Sequence, residues 1–110
     1  MDLLTELLKS RFSEDEIRIY QARDGFTGME RAKRVKPDLI ILDLLLPNVE
    51  GREVHRRLIS EPSTCHSKFI IISGYLVYKP KNARYISKPI HMDVFLKEVE
   101  NLLGVEEPRV

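Results

Sequence analysis

The sequence predicts an α/β fold in which helices cover a parallel sheet. Two short apolar runs carry most of that expectation, DLIILDLLL at 38–46 and FIII at 69–72. The first lies between two prolines and the second ends in Ser73-Gly74. Short apolar runs bounded by turn residues read as strands buried on both faces, and such strands belong to parallel sheets. Segments with apolar residues at helical spacing separate them, so strand and helix alternate and the crossovers should be right-handed.

In chain order, Leu3, Leu4, Leu7, Leu8 and Phe12 predict a helix over 2–12. Ser13, Glu14 and Asp15 make a polar break. Residues 16–22 (EIRIYQA) alternate apolar and polar, which predicts a strand. Asp24-Gly25 marks a turn. The next helix carries Phe26, Met29, Ala32 and Val35, has a basic C-terminal end that suits its dipole, and is closed by Pro37. After the strand at 38–46 come a helix at 51–60 and a loop at 61–67. The strand at 69–72 follows, then an irregular stretch at 75–83 and a short strand at 84–87 that ends at Lys88-Pro89. The last helix, near 91–103, carries Val94, Phe95, Val99, Leu102 and Leu103, with Gly104 where a C-cap belongs. Residues 1–104 are expected to form one domain, and 105–110 a frayed tail.

Composition narrows the function. The chain has 110 residues, 43% apolar and 32% charged, which suits one domain with one core. Eighteen basic against seventeen acidic residues give a net charge of +1. That balance argues against a general nucleic-acid or membrane binder. A single cysteine, Cys65, cannot form an intrachain disulfide. No apolar run approaches the roughly 20 residues needed to span a bilayer, and the N-terminus lacks the pattern of a signal peptide. A cytoplasmic protein is expected.

In parallel sheets the functional groups gather at the carboxyl ends of the strands. Asp43, Ser73 and Lys88 stand there. A carboxylate inside IILDLLL costs several kcal/mol to bury unless a cation or donors satisfy it. Lys88 supplies the cation and Ser73 a hydroxyl. Together they could hold a bare carboxylate or an acyl phosphate formed on Asp43. An Asp at a strand end is, taken alone, more often a cap or turn residue; the joint order of the three carries the argument.

These residues bring a family into view. PDLIILDLLLPNVEG (Pro37 to Gly51) resembles the signature of the response-regulator receiver domain, in which the phospho-accepting Asp is followed four residues later by Pro and eight later by Gly. Asp43, Pro47 and Gly51 match that spacing. Ser73 in FIIISGY resembles the family's Ser or Thr after the fourth strand, Lys88-Pro89 its Lys-Pro pair, and Tyr85 its switch aromatic. Asp24-Gly25 resembles the turn after its second strand. The resemblance implies a flavodoxin-like, CheY-like three-layer sandwich. It also implies phosphoryl transfer from a partner histidine kinase to Asp43, assisted by Mg²⁺ with the Leu45 carbonyl as one ligand. Ser73 and Tyr85 would then reposition and change a surface for downstream proteins.

The chain departs from the family twice. It opens with the helix that should follow a first strand and its Mg²⁺-holding acidic pair, leaving Asp24 as the one candidate substitute carboxylate. Fifteen positions separate Ser73 from Lys88, about two helical turns fewer than the family uses, so the fourth helix is reduced or absent. The sheet is then expected to have four strands, with 16–22 pairing directly with 38–46 or a second copy filling the gap. The uncovered edge at 84–87 also invites pairing, so a homodimer is expected.

The remaining candidates read as structural. His55, His66 and His91 share no ligand spacing and are expected at the surface. Arg52, Arg56 and Arg57 follow Gly51 on one helix and could form a partner-binding patch, though a solvated face is the commoner reading; Tyr75 and Tyr78 read as packing residues and Cys65 as an exposed thiol. Leu45 stands where an aspartate-nucleophile phosphohydrolase would carry a second Asp, and no glycine-rich phosphate loop is present, so an enzyme is not expected. The expectation is a two-component signalling module that works by protein–protein contact with impaired Asp43 phosphorylation. The alternative is an ordinary phospho-accepting receiver.

Overall fold

The computed structural model describes residues 3–44, 51–74 and 80–104. The element order is α1 (Leu3–Arg11), α2 (Gly25–Val35), β1 (Leu39–Asp43), α3 (Gly51–Ser60), β2 (Lys68–Ser73), β3 (Arg84–Ser87) and α4 (Met92–Leu103). The chain forms two compact units, one of residues 22–89 and one of 1–21 with 90–110.

The larger unit holds the sheet. Its strands run parallel in the order β1-β2-β3, with Ile40 opposite Phe69, Leu42 opposite Ile71, and Ile72 opposite Ile86. β2 is the central strand, and Phe69 to Ile72 are all at most 2% exposed, as a run of four apolar residues requires of a strand covered on both faces. α2 and α3 lie side by side and share one core with the sheet. Met29 and Ala32 of α2 and Val54 and Leu58 of α3 meet Leu42 and Phe69 there. Each fully buried Leu or Phe contributes about 1.5–3 kcal/mol through apolar surface removed from water.

α2 starts where Asp24 caps it: one carboxylate oxygen accepts from the Thr27 N–H at 2.8 Å and the other from the Thr27 hydroxyl at 3.2 Å. It ends at Lys36, which takes a left-handed conformation (φ 55°) and donates its N–H to the Ala32 carbonyl. Two hydroxyls tie the loop after α3 to its surroundings. The Thr64 hydroxyl donates to the Leu58 carbonyl at 2.7 Å and the Ser67 hydroxyl to the Pro37 carbonyl at 2.6 Å.

In the smaller unit α1 and α4 are in contact, and Arg11 pairs with Glu100 between them. Leu8, Phe12, Phe95 and Val99 are buried. The Gln21 amide donates to the Thr5 hydroxyl at 2.6 Å. α4 ends at Gly104 in the left-handed region (φ 71°), with its N–H on the Glu100 carbonyl, as expected for a C-cap.

Three expectations change. Residues 16–22 form no strand, and the sheet has three strands among the described residues rather than four. Ile17 and Ile19 are half-buried while Arg18 and Tyr20 are exposed, so the alternation is real. A strand also needs a neighbour, however, and among the described residues β1 forms its ladder with β2 alone. Phe26 and Val94 are exposed at 58% and 50%. The inward stripe of α2 is Gly25, Met29 and Ala32, and that of α4 is Phe95 and Val99. His55 is fully buried rather than at the surface, because α3 turns Gly51, Val54, His55 and Leu58 inward. Its ring meets Phe69 edge-on, with centroids 4.7 Å apart. His66 and His91 are exposed as expected, and so is Cys65.

Burial lowers the His55 pKa below its ordinary 6.5 by desolvating the charged form. The unfolded chain then binds the proton more readily than the folded one. The contribution of His55 to stability is intact above pH 6.5 and is lost as the pH falls from there to the lowered value. Urea unfolding at stepped pH should show the midpoint falling across this window. A His55→Phe variant should show a flatter profile.

Candidate functional site

The parallel register makes the strand ends level. Asp43 lies opposite Ile72, and Ser73 opposite Ser87. The ladder continues one step further on each side: the Leu44 N–H donates to the Ile72 carbonyl and the Lys88 N–H to the Ser73 carbonyl, both at 3.0 Å. Asp43, Ser73 and Lys88 therefore share the carboxyl edge of the sheet, one from each strand or its end.

Lys88 Nζ lies 2.8 Å from Asp43 Oδ2, a charge-assisted hydrogen bond reaching from the end of β3 to the end of β1. The side chains are 37% and 38% exposed. Water screens a pair this open, so it contributes about 0–1 kcal/mol to stability. Its chemical meaning is larger, because the ammonium can hold one oxygen of any anion built on Asp43. Ser73 is buried at 8% exposure in the neighbouring strand end. Its backbone carbonyl fixes the start of the Lys88-Pro89 segment, whose peptide bond is cis.

Gly51 has a role that spacing alone does not reveal. Its N–H donates to the Leu44 carbonyl at 3.2 Å, closing the start of α3 onto the residue after Asp43. A Cβ there would sit 2.5 Å from Leu44 Cα and 3.0 Å from the Asp43 carbonyl oxygen. Only a residue without a side chain permits that approach, so Gly51 keeps the helix start tight against the strand that carries Asp43.

Tyr85 sits opposite Ile71 on β3, and its hydroxyl donates to the Pro80 carbonyl. Asp24, the candidate substitute carboxylate, spends both oxygens on capping α2. Among the described residues no three His, Cys, Asp or Glu side chains group as metal ligands. Leu45, Pro47, Tyr75, Tyr78 and the tail 105–110 lie outside the described residues.

The family model for the response regulator receiver domain matches residues 1–100. The chain belongs to the response-regulator receiver family. The polar-differentiation response regulator DivK of Brucella anthropi is 29% identical over 91 residues, which is 76% of this chain and 74% of DivK. The response regulator PleD of Caulobacter vibrioides is 33% identical over 68 residues, 62% of this chain and 15% of PleD. Among solved structures, the receiver domain of sensor histidine kinase PA1611 from Pseudomonas aeruginosa matches with a TM-score of 0.79 at 18% identity. That match covers 93% of this chain and 86% of the other. The PA1611 receiver holds a magnesium ion in its active-site cleft. The fold is thus the flavodoxin-like, CheY-like one expected from the sequence, and the receiver is a module of two-component signalling.

Two outcomes follow from the geometry. Gly51→Ala should cost about 1–3 kcal/mol, the usual cost of forcing atoms into a filled space, read as a lowered midpoint in urea unfolding. Asp43→Asn and Lys88→Met should each change stability by less than about 1 kcal/mol. A larger loss in either would mean that the pair holds the fold.

Proposed function

We propose that this receiver acts by protein–protein contact within a two-component phosphorelay, with phosphorylation of Asp43 impaired. The observation that carries the reading is Lys88 Nζ at 2.8 Å from Asp43 Oδ2, with no group of three candidate metal ligands among the described residues. In this reading Asp43 is the phosphoacceptor position, Ser73 and Lys88 are the anion-holding pair, and Tyr85 is the switch aromatic.

Phosphoryl transfer to a carboxylate brings negative oxygens against a negative nucleophile. Mg²⁺ supplies the charge that offsets this, and it favours an octahedral oxygen shell that includes carboxylates. This reading assigns Asp43 and the Leu45 carbonyl as ligands, with Asp24 engaged as a helix cap. The set fits Mg²⁺ poorly and binding should be weak. The site then rests as an ion pair, with Lys88 balancing the charge that a metal would otherwise share.

The module is not an enzyme in this reading, and residues 1–104 act as one functional domain. Its partners are a histidine kinase or a downstream signalling protein in the cytoplasm, not nucleic acid or membrane. Among the described residues no helix is long and apolar enough to cross a bilayer. A second copy is a further partner, through the edge strand β3 or the outer edge of β1. The ordinary phospho-accepting receiver is the second reading, favoured by the convergence of Asp43, Ser73 and Lys88 on one sheet edge.

Intact-mass spectrometry separates the two. After incubation with acetyl phosphate and Mg²⁺, the native chain should keep its mass, as should Asp43→Asn. A stoichiometric gain of one phosphoryl group in the native chain alone would establish the ordinary switch.

A further inference from the structure

The two ends of the β1–β2 ladder show which backbone groups of β1 it uses. The Asp38 carbonyl accepts from the Lys68 N–H at 2.9 Å, and the Leu44 N–H donates to the Ile72 carbonyl at 3.0 Å. A parallel strand sends the backbone groups of successive residues to alternate sides. The even-numbered residues from 38 to 44 therefore bond to β2, and Leu39 and Ile41 turn their N–H and C=O groups to the other edge. Among the described residues nothing donates to or accepts from those groups. Both residues are half-buried, and shielded backbone groups left unpaired carry a cost that a further strand would remove.

Donors and acceptors spaced two residues apart on a strand edge accept an extended chain. The sequence of β1 makes a second copy of itself the fitting one. In an antiparallel pair centred on Ile41, Ile41 meets the partner's Ile41 and Ile40 meets the partner's Leu42. Asp43 then lies opposite the partner's Leu39 and Asp38 opposite the partner's Leu44, so no acid faces an acid. The Asp43 carboxylate also keeps its own counter-charge in Lys88. β3 is the poorer edge for the same purpose. The Lys88 N–H donates to the Ser73 carbonyl, so Arg84 and Ile86 bond to β2. Tyr85 and Ser87 alone then turn outward before the cis Lys88-Pro89 bond ends the strand.

We propose that the outer edge of β1 is a docking site for β1 of a second copy, the two strands pairing antiparallel about Ile41 and joining their sheets into one. The inference rests on the reading of a second copy as a partner and chooses between its two edges. The contact is isologous, with the same strand offered by both copies, and so closes at a dimer. Its hydrogen bonds come from the backbone, and it needs neither Mg²⁺ nor a phosphoryl group on Asp43.

Residue-resolved amide hydrogen exchange of the full chain, read beside its sedimentation, tests this. Neither phosphodonor nor Mg²⁺ is present, so the outcome is separate from that of the mass measurement. The Ile40 and Leu42 N–H groups, held by β2, should exchange slowly at every concentration. The Leu39 and Ile41 N–H groups should exchange fast in dilute solution and slow as the average mass rises toward the dimer, by about tenfold when roughly nine chains in ten are paired. Ile41→Pro removes an outward donor and leaves the β2 ladder its bonds. It should stay monomeric with Ile40 and Leu42 still protected. Ile41→Lys, which sets a charge on the edge, is the second variant if the proline variant fails to fold by circular dichroism. A chain that is monomeric at millimolar concentration overturns the proposal, and so does a dimer that survives Ile41→Pro or Ile41→Lys. Slow exchange of Ile41 in the monomer also overturns it, because the edge is then closed within one chain. A dimer that protects Tyr85 and Ser87 in place of Leu39 and Ile41 overturns it while keeping the second copy as a partner, seated on β3.

Discussion

The parallel register of this sheet determines which counter-charge meets the carboxylate at the end of β1. In a parallel sheet every strand ends on the same side, so the residues following β1, β2 and β3 are level although they are far apart in sequence. Asp43 and Lys88 are 45 positions apart, yet one ladder step on each side of β2 brings them within 2.8 Å. Ser73 sits on the strand between them. A register shift of one residue in either ladder would turn these side chains to the other face. The buried packing of Phe69 to Ile72 resists such a shift, because it leaves no apolar residue of β2 free to face water. The core therefore does the positioning, and the half-exposed ion pair contributes little to holding the fold.

The local contacts serve the same end. Gly51 lets the start of α3 close on Leu44 with no side chain in the way. The Ser73 carbonyl receives the Lys88 N–H before the chain turns at the cis proline. Asp24, two residues beyond the segment where a strand was expected, is committed to α2 rather than to the site. Each contact is inexpensive, and each removes one alternative position for the strand ends.

Much of this was legible in the sequence, for identifiable reasons. β1 and β2 are short apolar runs with clear stops, β3 is a short segment stopped by Lys88-Pro89, and their order along the chain put Asp43, Ser73 and Lys88 at equivalent ends. α2, α3 and α4 carried period-3.6 patterns, and α2 and α4 carried caps as well. What the sequence hid depended on neighbours. Residues 16–22 alternate as a strand does, and Ile17 and Ile19 do turn inward. A ladder has a second requirement, a partner strand brought alongside in register, which alternation cannot report. His55 lies between Val54 and two arginines, so its type and its flank both suggested the surface; its place in the inward set 51, 54, 55 and 58 was the stronger signal. The reason for Gly51 was invisible because a near-contact with Leu44 leaves no trace in spacing.

The three-stranded sheet also changes the meaning of β1. LIILD has the composition of an interior strand, yet among the described residues it bonds on one side only, and Leu39, Ile40 and Ile41 are half-buried. Soluble proteins usually protect such an edge with charge, proline or a covering element. Here the flanks supply part of that protection. Lys36 leads in on a left-handed turn, Pro37 withholds a donor, Asp38 is exposed, and Asp43 closes the strand with charge. The same aspartate that anchors the site thus also ends this edge, and its pairing with Lys88 keeps that end fixed to β2 and β3. Site and edge protection draw on one residue. That explains why the charge at position 43 can persist in an apolar strand whether or not it ever receives a phosphoryl group.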